Sequence, residues 1–326
     1  MKNLFLCALI LAICGCTPQR TSQNPTPATR VVLYCSVDDV YARPILAQLE
    51  KETGLRIDVI HDTEAAKTAG LANRIRAEAT RPRADVFWSS ALLQTLLLQR
   101  EGLLQSYVSP NAATVPAAFK EARGAWTANG VRSRVIVFQK GLPKPPRTYA
   151  DLLKPRFKNA VGISNPQFGT ASDEAAFLTT RWGETKALSW YRALRKNGAK
   201  VLPGNSVVAQ RVARGELLAG ITDSDDYLAQ VREGGNIDVA QMEWMAVPGA
   251  VAILKGAPHN QNAQKLVDAL LAAPTQTLFA KTMPGVWTTA PGASAAWKNA
   301  APADTARWAE SWQKVREPLA QIVLAP

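Results

Sequence analysis

The sequence predicts an α/β fold of two lobes with mostly parallel sheets, and three observations predict it. Strand-like and helix-like segments alternate along the chain, the pattern of parallel sheets covered by helices. After a Pro-rich stretch ending at Arg30, residues 31–326 remain, enough for a large packed core divided between two bodies. A long β-rich run from Val131 to Gln139 lies mid-chain, where a crossover between lobes is expected.

The elements follow in order. Val31 to Tyr34 is apolar and β-rich, and Val40 to Glu52 repeats Ile45, Leu46 and Leu49 on a helical period before Gly54 stops it. Leu55 to Ile60 is the second strand, Lys67 to Thr80 a helix, Ala84 to Trp88 a buried strand and Ala91 to Arg100 a Leu-rich helix ending near Gly102. Beyond the crossover, Tyr149 to Leu153 is helical, Ala160 to Ser164 a strand, Ser172 to Trp182 and Lys186 to Asn197 helices, and Lys200 to Leu202 a strand. Val207 to Arg214 is a further helix and Leu218 to Thr222 a strand. The chain returns to the first lobe over Ala246 to Leu254, then forms an amphipathic helix from Asn262 to Ala272. The last fifty residues, with Trp297, Trp308 and Trp312, read as helices that clamp the lobes.

The N-terminus points to export. Lys2 precedes ten apolar residues, Leu4 to Ile13, a stretch too short to span a bilayer. Ile13, Cys14, Gly15 and Cys16 resemble a bacterial lipobox, with Cys14 departing from the usual second position. That resemblance implies lipidation of Cys16 and a mature chain starting there; the competing reading is a plain secretory signal. Thr17 to Arg30, with Pro18, Pro25 and Pro27 and no apolar period, reads as a tether reaching at most ~43 Å at ~3.1 Å per residue. The expected division is 1–15 lipoprotein signal, 16–30 tether, 31–130 first part of lobe 1, 131–245 lobe 2, 246–280 the return to lobe 1, and 281–326 C-terminal helices. Cys35 is left without a partner, so no disulfide scaffold is implied. The formal charge of +12 is spread over helix-like segments without any nucleic-acid motif, and reads as a solvated basic surface favouring anionic membranes.

Seven segments carry a resemblance: VVLYCS at Val31 to Ser36, ADVFWSS at Ala84 to Ser90, REGLL at Arg100 to Leu104, NPQFGTAS at Asn165 to Ser172, PGNSVVAQRVARGE at Pro203 to Glu216, GITDSDD at Gly220 to Asp226, and KGAPHNQNAQKLVDALL at Lys255 to Leu271. In this order they resemble a solute-binding protein of an ATP-driven (ABC) importer, a type 2 periplasmic binding protein of the class that includes ferric-iron-binding proteins. The resemblance implies two α/β lobes joined by hinge strands that close on a ligand. It also implies delivery to a permease, no covalent chemistry, a monomer, and an exported periplasmic or cell-surface location.

Such a site needs loops at the carboxyl ends of strands and helix N-termini facing a cleft. Ser36, Asp38 and Asp39 follow the first strand, and Ser89 and Ser90 the third. Gly169, Thr170 and Ser172 open a helix, and Asp223, Ser224, Asp225, Asp226 and Tyr227 follow a second-lobe strand. Asp62, Thr63 and Glu64 form a possible fifth edge. Each of these is also a natural N-cap, Asp39, Ser172 and Asp226 above all. The expected binding set is Ser36, Asp38, Asp39, Ser90, Thr170, Asp223, Asp225, Asp226 and Tyr227, with carboxylates accepting a cation or amine and hydroxyls orienting it.

Asp38 and Asp39 facing Asp223, Asp225 and Asp226 would repel unless compensated. A metal ion, or an amine stacked on Trp88 or Tyr227, would do this; so would internal pairing with Lys67, Arg132 or Arg134. Iron-binding relatives use a His after the first strand, a Glu after the third and a consecutive Tyr pair after the second-lobe strand. This chain has Asp38, Ser90, and Asp225 with Asp226, or Asp226 with Tyr227, at those places. Carried over, the metal set is Asp38, Asp225, Asp226 and Tyr227, with Fe3+ as transported ligand and no cofactor. His61 and His259 stand alone and read as surface or capping residues.

Two other classes stay open. One is a binder of phosphonate or sugar-phosphate anions through Ser36, Ser90, Thr170, Asn205 and Ser206, the Asp residues then reading amine or hydroxyl groups. The other is an exported glycan hydrolase using paired carboxylates. A Ser or Cys nucleophile lacks a motif-placed His.

Overall fold

A computed structural model describes residues 29–62, 67–240, 244–288, 300–301 and 304–324. The chain begins with β1 (Arg30–Cys35), α1 (Asp39–Thr53), β2 (Arg56–His61), α2 (Ala69–Ala77), β3 (Val86–Ser89), α3 (Leu93–Arg100) and the short β4 (Leu104–Gln105). The long β5 (Thr127–Gln139) leads to β6 (Val161–Ser164), α4 (Gly169–Trp182), α5 (Glu184–Lys196), β7 (Lys200–Leu202), α6 (Asn205–Ala213), β8 (Ala219–Asp223), α7 (Ser224–Arg232) and β9 (Ile237–Val239). A second long strand, β10 (Trp244–Leu254), is followed by α8 (Asn260–Leu271), α9 (Ala273–Thr282), β11 (Ala300–Ala301) and α10 (Trp308–Leu324).

The strands run in the order β2-β1-β3-β10-β5-β8-β6-β7. β1 is parallel to β2 and β3, and β6 is parallel to β7 and β8. Between these parallel blocks lie β10 and β5, antiparallel to each other; β10 is also antiparallel to β3, and β5 to β8. Within the sheet, the two parallel blocks are therefore linked through this pair of long strands, the two-lobed arrangement joined by hinge strands. A bulge between Gly249 and Ala250 falls where β10 begins to pair with β3 as well as β5.

Apolar periodicity explains the cores. Ala42, Ile45, Leu46 and Leu49 of α1 and Ala263, Leu266, Val267 and Leu270 of α8 bury one helix face each against β1 and β3. Val208, Ala209 and Val212 of α6 pack on Val135 and Val137 of β5. Trp308 and Trp312 of α10 are buried, and that helix packs on α4, α5 and α3. Among the described residues no helix is long and apolar enough to cross a membrane. The lipobox, the Trp297 segment, Thr63 and Glu64 lie outside the described residues.

Several boundaries differ from expectation for local reasons. α4 starts at Gly169, with Phe168 as N-cap, so Ser172 is not a cap; its hydroxyl donates to Gly169 O at 2.7 Å. Thr68 has a positive φ of 70° and keeps α2 from starting at Lys67. α7 is foreshadowed only by Asp226 as an N-cap, and α9 only where it overlaps the helices expected in the last fifty residues. The Asp-rich start of α7 lacks apolar period, and α9 follows α8 directly after an extended Ala272, with Pro274 in its first turn.

Candidate functional site

A cavity of about 450 Å³ opens at the carboxyl ends of β1 and β3 on one side and β6, β7 and β8 on the other. Four helices begin at its wall: α1 (Asp38 to Tyr41), α4 (Phe168 to Thr170), α6 (Gly204 to Ser206) and α7 (Asp223, Asp226). None of their N-cap residues, Asp38, Phe168, Gly204 and Asp223, bonds the first turn through its own side chain. Their partial positive ends thus converge on one volume. Two first-turn amides are engaged: Tyr41 N donates to Asp38 O at 2.9 Å, and Gly169 N donates across the cavity to Lys67 O at 3.2 Å.

Most of the acidic groups have a cationic neighbour, the internal pairing the sequence left open beside a cationic guest; among the described residues Asp226 has only the Thr222 hydroxyl, at 3.3 Å. Lys67 Nζ is 2.6 Å from Asp38 Oδ1, and Asp39 pairs with Arg43 and, at 3.1 Å, with His61. Arg132 lies 3.2 Å from Asp225 and 3.6 Å from Asp223, and Arg134 lies 2.9 Å from Asp223 and 3.0 Å from Glu174. Burial opposes the charge on Arg132, but Asp225 and Asp223 outweigh it and hold the guanidinium above its ordinary pKa. Burial pushes the carboxyls of Asp225 and Asp226 up, and for Asp226 the neighbouring Asp225 and Asp223 add to the rise.

Asp38, Asp39, Ser90, Thr170, Asp223 and Asp226 all line the cavity. Ser36 lies behind it, buried, its Oγ accepting from Ser90 N at 2.9 Å and within 3.3 Å of Ser90 Oγ, so it holds the loop after β3. Asp225 is buried on Arg132, with Oδ1 unpartnered, and does not line the cavity. Tyr227 is also off the cavity, packed on the cluster of β5 and α6. The reason is helical rotation. Asp226, Ala229, Gln230 and Glu233 share the face of α7 that lines the cavity, and Tyr227 is about 100° away from Asp226. Trp88, offered for stacking an amine, is 1 % exposed against Phe279.

The expected metal set Asp38, Asp225, Asp226 and Tyr227 is therefore not brought together as four facing ligands. Among the described residues, Asp223, Asp225 and Asp226 do offer oxygens within 4.8 Å of one another, a hard-oxygen cluster with Arg132 against two of the three. His259 bonds the buried Asp85 through both its backbone N and Nδ1, and takes no part in the site.

Thr170 spends its donor on Asp223 Oδ2 at 2.6 Å and accepts from Asn205 Nδ2 at 2.8 Å. Asn205 Nδ2 also donates to Asp223 Oδ2 at 2.9 Å, and Asn205 Oδ1 accepts from Arg134 Nη1 at 2.8 Å and from Ser164 Oγ. Thr170 thus orders the wall. Sequence reasoning missed Tyr41, Ser164, Gln210, Gln230 and Glu233 as lining residues. The i, i+3, i+4, i+7 spacing of 226, 229, 230 and 233 was the available clue for α7, and two arginines inside the apolar run of β5 marked Arg132 and Arg134.

The family model described as bacterial extracellular solute-binding protein matches residues 31–282. The major ferric iron-binding protein of Neisseria meningitidis serogroup A is 29% identical over 269 residues, covering 76% of this chain and 77% of that protein. The putative 2-aminoethylphosphonate-binding periplasmic protein of Salmonella typhimurium is 24% identical over 222 residues, 64% of this chain and 63% of its own length. Among solved structures, the periplasmic binding protein AfuA from Actinobacillus pleuropneumoniae, with exogenous fructose-6-phosphate bound, superposes with a TM-score of 0.79 at 25% identity, covering 91% of this chain and 99% of that one.

Proposed function

This chain belongs to the bacterial extracellular solute-binding proteins, and from that premise we propose that it captures a small phosphate- or phosphonate-bearing organic solute and delivers it to an ABC-type permease. The observation that carries this reading is the convergence of four helix N-termini, with Lys67 and Arg132, on one cavity. Helix N-termini of this kind favour an oxyanion, with the two cations shared between it and the carboxylates of Asp38, Asp223 and Asp225. Asp226 and Glu233, on the same face of α7, would then receive amine or hydroxyl groups of the solute. A volume of about 450 Å³ suits a solute of sugar-phosphate size. The relatives that carry phosphonate and fructose-6-phosphate in their descriptions agree with this chemistry. Family members are binding proteins, and no reaction is assigned to the carboxylates.

The second reading, ferric iron as cargo, draws on the Asp223, Asp225 and Asp226 cluster and on the ferric iron-binding relative. A thermal-shift screen of aminoalkylphosphonates, sugar phosphates, inorganic phosphate and ferric citrate separates the two. Stabilisation by the phosphorus compounds supports the anion reading, and stabilisation by iron alone rejects it. Lobe 1 is assigned to 31–130 and 246–280 and lobe 2 to 131–245, with closure about β5 and β10. Anchoring through lipid on Cys16 is part of the same proposal. Intact mass of the mature N-terminus tests it, an unmodified Cys16 rejecting the anchor.

A further inference from the structure

Away from the cleft, a second cavity of about 470 Å³ lies between α4, α5 and the one-turn helix at Tyr149–Leu153. Its walls are aromatic. Tyr149 stands edge-on to Trp182 (centroids 5.5 Å, 85°) and to Trp190 (5.4 Å, 89°), with Trp182 and Trp190 at 6.2 Å. These rings are held from behind. Trp190 Nε1 donates to Tyr149 O at 3.0 Å, and the Tyr149 hydroxyl donates to Glu174 Oε1 at 2.7 Å. With their polar atoms already engaged, Tyr149 and Trp190 offer the cavity ring surface.

The rim carries the opposite character. Arg147, Arg181 and Lys186 line it, and among the described residues no carboxylate does. Lys186 Nζ lies over the Trp182 ring, 5.6 Å from its centroid, and the Arg181 guanidinium over Phe177 at 5.8 Å, so the rim cations rest against the aromatic wall. A volume of several hundred Å³ with aromatic walls and a one-signed rim is the form of a small-molecule site.

We propose that this cavity is a second ligand site, separate from the interlobe cleft, that takes a small aromatic carboxylate. The ring of the guest stacks among Tyr149, Trp182 and Trp190, and its carboxylate is received by the guanidinium and ammonium groups of the rim. An anionic lipid surface would also meet the cations, but Trp190 is buried and Trp182 only part-exposed within the cavity, so the rings are placed for an enclosed guest rather than for insertion into a bilayer.

The test is calorimetric titration of the full mature chain with phenylacetate, benzyl alcohol and acetate. The expected result is saturable binding of phenylacetate to one site, at least tenfold weaker binding of benzyl alcohol, and none of acetate. Trp182→Ala, and separately Arg181→Gln with Lys186→Gln, should each weaken phenylacetate at least tenfold, while Lys67→Met in the cleft leaves it unchanged. Absence of phenylacetate binding, binding undiminished in Trp182→Ala, or a loss in Lys67→Met would overturn the proposal. So would cosedimentation with phosphatidylglycerol vesicles that needs Arg181 and Lys186 in a chain that does not bind phenylacetate, since the patch would then belong to a lipid surface.

Discussion

Arg134, with no exposed side-chain surface, donates through Nη1 to the equally buried Asp223 carboxylate at 2.9 Å, and through Nη2 to Glu174 at 3.0 Å. One guanidinium therefore holds a cleft-wall carboxylate and ties it to the helix that carries Thr170. Removing the cation leaves buried Glu174 without a cationic partner among the described residues and Asp223 with only the longer 3.6 Å pair to Arg132, a loss of about 3–5 kcal/mol for breaking such a pair. Arg134→Met is expected to lower unfolding stability by that order in urea denaturation. A loss below about 1 kcal/mol would show that Arg132 and the hydroxyl and amide donors around Asp223 and Glu174 suffice without Arg134.

Lys67 is a different case. Its pair with Asp38 is partly solvated, at 21% and 38% side-chain exposure, so its share of stability is within about 1 kcal/mol. Its charge nevertheless faces the cavity. Lys67→Met is expected to leave the melting temperature nearly unchanged while weakening the phosphorus-bearing solute found by screening at least tenfold. Calorimetric titration checks it, and equal affinity in the variant would remove Lys67 from the site.

Asp173 gives a pH dependence. It is buried, and its two oxygens accept from Leu92 N at 2.7 Å and Leu93 N at 3.0 Å, joining α4 to the start of α3. Burial outweighs those amides and pushes its carboxyl up to about 7. Between the ordinary value near 4 and 7, the folded chain holds a proton that the unfolded chain has released. Stability from this group is full below pH 4 and is lost as pH rises toward 7, at about 1.4 kcal/mol per pH unit. Denaturation of the wild type and of Asp173→Asn across pH 4 to 8 measures the difference, and parallel curves would contradict the assignment.

Two glycines with nearly equal backbone angles separate strain from crowding. Gly285 (φ 79°) brings a prospective Cβ to 2.6 Å from Ser224 O, whereas Gly234 (φ 77°) has nothing within 4 Å. Both substitutions to Ala carry the left-handed penalty of about 1 kcal/mol. Only Gly285→Ala adds a backbone clash, at the point where Ser224 Oγ donates to Gly285 O at 2.7 Å. Thermal unfolding is expected to show a clearly larger loss for Gly285→Ala than for Gly234→Ala; equal losses would mean that the 285 segment yields freely.

Most of the fold was legible because the evidence for it is local. The apolar period of α1 and the β-rich runs of β1, β3 and β8 each report on a few neighbouring residues, and the quoted segments follow one family's order. The loops after β1, β3 and β8 were placed at the cleft for the same reason, since a strand's end is visible in sequence. α7 was less legible. Its polar residues share no apolar stripe, so Tyr227 was assigned to the site and Glu233 was not.

By itself, then, the sequence determined the alternation of elements, the two-lobed class, and which loops meet at the strand ends. Only the tertiary structure decided the electrical character of the place where they meet. Compensation of Asp223 depends on Arg134, 89 positions away, and compensation of Asp38 on Lys67, 29 positions away. Charge pairing falls off over a few ångströms in space and is blind to separation along the chain, so whether a cluster of acids awaits a cation is settled by packing.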